Sequence, residues 1–478
     1  MKEREPSRYL RLGVLILASA ILTLLAGGCA VKRPPNTTQA VKDSLPAATK
    51  VPGQWTSQGA SAAPVQTDWL KSFGDLQMEA IAAEALKNNL YLQTATTRID
   101  AAANIVTQAH SQLLPMVGVL GSATYLGRYN QKGVRGQNKG RYNASSLLGS
   151  VSWELDLWGR IRAQTAAAQQ ELAATQADVQ FARESLAALT AKTWYLAVCT
   201  RMLQRFSEQN VRLKQQSLDL AQTKFQVGEV QDQQVAIASA DLATAQSQLT
   251  QVNSAYEQIV RGLEILLGRY PSAELQVAET MVSLPPPVPA GLPSQLLERR
   301  PDVIAAERTF DAAFHMVQST KAARLPSISL TGAGGYMTNE IYQKLALRPW
   351  IWTVGANLAA PLYTGGFLQA QVKIANDNQR AALALYGQTA LQAFGEVEVT
   401  LSNERFLREE KQDFDAVLKN IEQALGVEQT KHRVGQVDLD PVLQLQAAEL
   451  GAKTAVTEVQ YELLANRINL HLALGGGF

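Results

Sequence analysis

Polar and apolar positions alternate in four stretches of the chain. In LLGSVSWELDL (147–157), Leu147, Val151, Trp153, Leu155 and Leu157 fall on one side and Ser150, Ser152, Glu154 and Asp156 on the other. Residues 350–362 set Trp350, Trp352, Val354, Leu358 and Leu362 against Thr353, Asn357 and Ala359. PMVGVLGSATY (115–125) and PSISLTGAGGY (326–336) keep the same period, the latter with Ile328, Leu330 and Tyr336 opposite Ser327, Ser329 and Thr331. A period of two predicts β-strands, here of roughly ten residues, the length at which a tilted strand crosses a bilayer. Four are too few to stand alone in lipid, where a barrel must close and needs about eight or more. The chain therefore either pools strands with copies of itself or builds a small soluble sheet with one buried face, and alternation alone does not separate these. Four of the seven tryptophans, Trp153, Trp158, Trp350 and Trp352, fall in or beside these stretches. An aromatic belt at a membrane interface would place them so. On the shared-barrel reading, Glu154 and Asp156 face a water-filled lumen and Trp153, Leu155 and Leu157 face lipid.

After each strand pair the period changes. From Arg160 to Val227 there is neither Gly nor Pro, and Ala, Gln, Leu and Glu dominate, which predicts one helix on the order of 100 Å long at ~1.5 Å per residue. The second copy spans the same distance, 435 − 366 = 69 as 228 − 159 = 69, with its long helix expected over 367–434. The octets TKFQVGEV (223–230) and TKHRVGQV (430–437) close the two helices, with Gly228 and Gly435 separated by 435 − 228 = 207 positions. Gly159 and Gly366, and Gly268 and Gly475, share that offset, so the chain carries an internal duplication. Helical patterning resumes at 232–268 and 440–474, making each unit a helical hairpin with its tip at Gly228 or Gly435, each placed to end a helix in the left-handed conformation. Between the copies, LPPPVPAGLP (284–293) cannot join a helix or a central strand and reads as the crossover. The expected organisation is a first repeat over 67–283 and a second over 294–478, each with a short helix, two strands, a long helix and a return helix.

The N-terminus carries Lys2, Arg4, Arg8 and Arg11, then the apolar run VLILASAILTLLAGG and Cys29. This is the layout of a bacterial signal peptide over residues 1–28, and the small residues Ala26, Gly27 and Gly28 before Cys29 match a lipobox, with Cys29 as the lipidated residue. Ala30 after it argues, by resemblance to other lipoproteins, against retention in the inner membrane. Residues 29–66, rich in Pro, Thr, Ser, Ala and Gln, read as an irregular tether from lipid to folded body. Cys199 then has no partner for an intrachain disulfide and reads as a buried structural thiol.

Charge and motifs narrow the class further. Lys plus Arg number 44 against 42 Asp plus Glu, so no basic field points to nucleic acid. The chain has no H-E-x-x-H, no G-x-x-x-x-G-K-[ST] and no G-x-S-x-G, and its four histidines, His110, His315, His432 and His471, are scattered. No enzyme activity, cofactor or metal is expected.

SVSWELDLWGRIRAQ, LPSQLLERRPDVIAAER, LPSISLTGAGGY, GANLAAPLYTGGFLQAQV, QAFGEVEVTLSN and the terminal LALGGGF together resemble the TolC-like outer-membrane factors, in particular the lipoprotein (NodT-type) branch that serves tripartite drug-efflux pumps. The resemblance covers residues 66–478. It implies an α+β membrane protein in which three chains give four strands each to one 12-stranded β-barrel, continued by an α-helical barrel across the periplasm. It implies a passive exit duct for drugs or other small molecules. The implied partners are a periplasmic adaptor (membrane fusion) protein, an inner-membrane transporter, expected to be proton-driven, and outer-membrane lipid. Two alternatives stay open: a channel for a peptide or protein exporter, and a lipid-anchored periplasmic scaffold with no channel.

On this reading the tips at Gly228 and Gly435 lie at the periplasmic end, where an adaptor docks and the resting channel closes. Asp438 and Asp440 in VDLDPV are candidate gate residues, with Asp232 in the corresponding place of the first copy. Asp440 before Pro441 also fits a helix N-cap, as Asp232 does. The loop 126–143, with Arg128, Lys132, Arg135, Lys139 and Arg141, is expected outside the cell or, equally, to be a plain solvated loop.

Overall fold

A computed structural model of the chain describes residues 31–57, 68–127, 141–339 and 350–477. The signal segment, Cys29 and the loop residues Arg128, Lys132, Arg135 and Lys139 lie outside the described residues. In chain order the elements are α1 (Thr37–Ser44), a 3-10 turn (Trp69–Phe73), α2 (Leu76–Asn88), α3 (Leu90–Ser111), β1 (Met116–Gly127), β2 (Arg141–Leu155), α4 (Arg160–Gln226) and α5 (Asp232–Leu266). There follow α6 (Pro293–Leu296), α7 (Pro301–Ala322), β3 (Ser327–Asn339), β4 (Trp350–Ala359), α8 (Phe367–Arg433) and α9 (Leu439–Ala473). They form two compact units, one of the described residues within 31–44, 99–175 and 306–386, the other of those within 45–98, 176–305 and 387–477.

The first unit holds one antiparallel sheet in the order β1-β2-β3-β4. Its register sorts the two faces. Val117 pairs with Val151, Trp153 with Leu330, Leu147 with Tyr336, Gly332 with Val354 and Ile328 with Leu358, and directly opposed residues share a face. The result is an apolar face bearing Val117, Val119, Leu147, Val151, Trp153, Leu330, Tyr336, Trp350, Trp352, Val354 and Leu358. The other face carries Ser122, Ser146, Ser150, Ser152, Ser329, Thr331, Thr353 and Asn357, with the Ser122 and Ser146 hydroxyls 2.8 Å apart. The apolar face is bare: Val354 is 80% exposed, Val119 and Trp352 72% and Leu358 71%.

The strand limits differ from the sequence expectation: β1 and β3 run on to Gly127 and Asn339, beyond 125 and 336, and β2 ends at Leu155 rather than 157. β2 starts at Arg141, earlier than 147, because the polar run 141–146 pairs along β1 as far as Arg141 opposite Gly127. β4 ends at Ala359 rather than 362, since Pro361 has no N–H for the ladder, and Leu362 is 96% exposed.

The second unit is helical. Its core joins Trp69, Phe73, Met78, Trp194, Tyr195, Leu263, Leu464 and Ile468. Asp75 organises the entry: one carboxylate oxygen accepts from the N–H of Gln77 and Met78, both at 3.0 Å, capping α2, and the other accepts from Trp194 Nε1 at 3.0 Å.

The duplication is visible in the helices. α4 and α8 have 67 residues each and α5 and α9 have 35 each. α3 and α7 both have 22 residues. The residue preceding each member of this last pair ties down a return helix: Asn89 Nδ2 donates to Leu266 O (3.0 Å) and Arg300 Nη1 to Ala473 O (3.2 Å). At these junctions Gly268 (φ 72°) and Gly475 (φ 64°) allow a close approach, because a Cβ on Gly268 would sit 2.9 Å from Asn88 O and one on Gly475 3.1 Å from Arg299 C and Arg300 N.

The segment expected to be an irregular tether is in part structured. Asn36 Oδ1 accepts from Gln39 N (2.9 Å), starting α1, and Ala40 is buried. Further on, Trp55 is buried edge-on to Phe394 and donates through Nε1 to Ala290 O (3.1 Å). Glu398 of α8 accepts from Thr56 N (2.7 Å), Ser57 N (2.9 Å) and Ser57 Oγ (2.6 Å). Burial of Glu398 acts to raise its pKa, but the Ser57 and Thr56 donors outweigh it and hold the carboxyl below its ordinary range.

Candidate functional site

The two hairpin tips are built alike. Glu229 N donates to Lys224 O (2.9 Å) and Gly228 N to Phe225 O (3.0 Å), while Gln436 N donates to Lys431 O and Gly435 N to His432 O, both 2.9 Å. This is the Schellman arrangement, which needs a left-handed residue at the turn. Gly228 (φ 77°) and Gly435 (φ 76°) supply it. The duplicated octet is thus a duplicated helix stop.

The acidic residues near the tips sit differently from expectation. Asp438, not Asp440, is the N-cap residue of α9, and its side chain makes no capping bond; Asp440 lies in the first turn. Gln231 is the N-cap residue of α5, so Asp232 is the first helical residue and not the cap. The reason for the idle cap is a competing partner: Asp438 Oδ2 lies 2.9 Å from Lys224 Nζ at the end of α4. This ion pair joins the tip of one repeat to that of the other. The hydrogen bond from Lys224 holds the Asp438 carboxyl below the usual carboxylate range, and the same bond raises Lys224. Lys224 was the residue missed by sequence reasoning, although it stands inside the duplicated octet. Its counterpart Lys431 pairs within its own helix, with Glu428 at 3.2 Å, so the two copies diverge in charge just where they meet.

At the other end of α4, Glu154 and Asp156 are engaged. Glu154, the penultimate residue of β2, pairs with Arg160 at 2.9 Å. Asp156 lies beyond the strand and accepts from Ile161 N (3.0 Å), Arg162 N (2.9 Å) and Arg162 Nε (3.2 Å), with its side chain 7% exposed. Its role is to anchor the start of α4, where a carboxylate meets the free N–H groups of a helix N-terminus. Leu157 and Trp158 also follow the strand rather than belong to it, and Trp158 Nε1 donates to Pro326 O (2.6 Å).

Sequence reading also passed over two buried arginines. Arg467, 0% exposed on α9, makes a two-point pair with Glu404 of α8 (Nη2–Oε1 2.6 Å, Nε–Oε2 3.0 Å) and donates to the carbonyls of Pro285 (2.9 Å) and Pro286. It binds the crossover to both long elements of the second repeat. Arg300 pairs with Asp302 (2.7 Å) and Glu396 (2.6 Å). The available signal was an Arg inside the apolar run of NRINLHLAL. His471 stacks on Trp69 with ring centroids 5.4 Å apart. Burial first, then Arg467, depress its pKa to about 3, so the ring is neutral.

A sheet with a bare apolar face and two 67-residue helices in one chain are the features of the class of outer-membrane efflux channels. The chain belongs to that family: residues 81–269 and 292–476 match the family described as Outer membrane efflux protein. It is 26% identical over 471 residues to the toluene efflux pump outer membrane protein TtgC of Pseudomonas putida, spanning 97% of this chain and 96% of the relative. It is 29% identical over 472 residues to the pyoverdine export outer membrane protein OpmQ of Pseudomonas aeruginosa, spanning 95% of each. Its fold is that of the Campylobacter jejuni CmeC outer membrane channel, with a TM-score of 0.82 over 94% of this chain and 95% of that one, at 23% identity. The protein is an efflux-system channel component of the outer membrane, reaching into the periplasm.

Proposed function

We propose that the protein is the passive exit duct of a tripartite efflux system, working as a homotrimer whose chains pool four strands each into a 12-stranded barrel continued by a helical barrel. The observation that carries the proposal is the sheet: one face apolar and bare, the other lined by hydroxyls, with β1 and β4 each paired on one side only among the described residues. Open edges do not persist in lipid, and three copies supply the strands that close them. Cys29 is the proposed lipid attachment point. The tips at Gly228 and Gly435 are the proposed docking place for a periplasmic adaptor, with a proton-driven transporter in the inner membrane supplying the energy. Lys224 and Asp438 are proposed to hold the resting channel closed. The relatives' names span toluene and pyoverdine, which fits a duct that leaves selection of cargo to the pump.

The test compares two neighbouring residues on opposite faces of β4. Val354→Arg places a charge on the proposed lipid face, which costs ~2–4 kcal/mol near the bilayer midplane, and trimer yield in outer membranes should collapse. Thr353→Arg points to the proposed lumen and should assemble normally. Equal yields of the two variants would contradict the wall assignment.

A further inference from the structure

We propose that an acyl chain of the lipid carried on Cys29 lies in an apolar groove of the first unit, directly beside Val31. The proposal rests on the lipidation reading above and adds a binding site to it. The groove has a volume of about 470 Å³ and is walled by Val31, Trp158, Phe314, Val317 and Leu325, with Lys321 among its polar lining. That is within the roughly 300–1,000 Å³ range of sites for small apolar ligands.

Three observations favour the chain's own lipid as occupant. First, Val31 is itself part of the wall, and at ~3.3–3.6 Å per residue Cys29 is tethered within about 7 Å of it. Second, the backbone at residue 32 is clasped: Lys32 N donates to Gln318 Oε1 and Gln318 Nε2 donates back to Lys32 O, each at 3.1 Å. This pair of hydrogen bonds to one side chain of α7 fixes the chain against the groove and shortens the search of anything attached two or three residues upstream. Third, the walls are apolar where an acyl chain needs them. Trp158 and Leu325 remain 37% and 43% exposed, and because the Trp158 N–H is already spent on Pro326 O the ring offers only its hydrocarbon surface. Trp158 follows the end of β2 and Leu325 precedes the start of β3, and the paired Leu155 and Ile328 put those strand ends side by side. The groove therefore opens at the rim of the sheet that is proposed to cross the membrane, the level at which an acyl chain enters or leaves lipid.

The test uses the full-length protein from cells fed a diazirine-bearing palmitate analogue, irradiated before purification and digested for mass spectrometry. The expected result is an adduct joining the acylated Cys29 peptide to peptides containing Trp158, Phe314, Val317 or Leu325. Leu325→Gln, at an exposed wall position, should lower that adduct at least threefold while the Cys29 peptide keeps its full lipid mass. An acylated Cys29 peptide whose adducts are all with membrane phospholipid, with another copy of the chain or with residues outside the groove overturns the groove and leaves lipidation standing. Groove peptides joined to phospholipid but never to the Cys29 peptide assign the site to free lipid and also overturn the proposal. A Cys29 peptide without lipid mass removes the lipidation reading and this inference together.

Discussion

Replacing Gly268 by Ala should damage the second unit far more than the same change at Gly228, although both glycines have nearly the same φ, 72° and 77°. An L-residue in the left-handed region costs about 1–2 kcal/mol, which applies at both sites. Ala also stiffens the unfolded chain, returning about 0.4–1 kcal/mol. At Gly228 nothing lies within 4 Å of the added Cβ, so the net loss is at most about 1.5 kcal/mol. At Gly268 the Cβ would meet Asn88 O at 2.9 Å and Asn88 C at 3.5 Å. These are backbone atoms, held in place by the Asn89 side chain on Leu266 O, so they cannot rotate away. Forcing an extra carbon against such a wall costs a further ~1–3 kcal/mol, for a net loss of about 1–4.5 kcal/mol. Trp69 and Trp194, both buried in that unit, report the transition by fluorescence in guanidinium, where the Gly268→Ala midpoint should fall clearly below that of Gly228→Ala. Equal midpoints would show that backbone conformation alone, without the close approach, explains the glycines at the repeat ends.

Asp311 gives a pH signature: burial and the nearby Glu307 raise its pKa to about 6 in spite of Arg308 at 3.7 Å. The folded chain then holds this proton more tightly than the unfolded chain, so stability declines as pH rises from about 4 to 6, by on the order of 2–3 kcal/mol, and Asp311→Asn should flatten that slope; an unchanged slope refutes the assignment. Arg467→Met leaves two proline carbonyls without their donor and Glu404 with Arg408 alone at 2.8 Å, and should cost about 1–3 kcal/mol, read as a lowered denaturation midpoint, whereas a wild-type midpoint would remove Arg467 from the architecture. Lys224→Ala and Asp438→Ala should each raise resting conductance in planar bilayers, and the double variant should go no further than either; additive effects would mean that the two residues act apart.

What the sequence made legible was whatever depends on single-residue backbone demands or on long periodicity. A left-handed helix stop has few solutions besides Gly, so the offset shared by Gly159, Gly228 and Gly268 with their partners marks positions that all have positive φ in the structure. α4 announces itself by lacking Gly and Pro, whereas α8 carries Gly387, Gly395 and Gly426 and is legible through the offset that ties it to α4. Contacts between distant segments left no such trace. The clasp of Ser57 by Glu398 spans 341 positions and that of Pro285 by Arg467 spans 182, and neither Ser-rich tether nor lone Arg carries a local signal. Asp156 misled because alternation continued past the end of β2, where the helix start takes over its carboxylate. Asp438 takes the N-cap position that the Asp440–Pro441 pairing suggested for Asp440, and its pair with Lys224 accounts for the missing side-chain cap.

The central claim, that this chain lines a water-filled path through a membrane, is tested most directly by single-channel recording of the full-length protein reconstituted in planar bilayers. The account calls for discrete conductance steps that vanish in Val354→Arg and persist in Thr353→Arg. A protein that inserts into the bilayer as a stable oligomer and passes no current at any voltage, with Lys224→Ala and Asp438→Ala as without them, would contradict it.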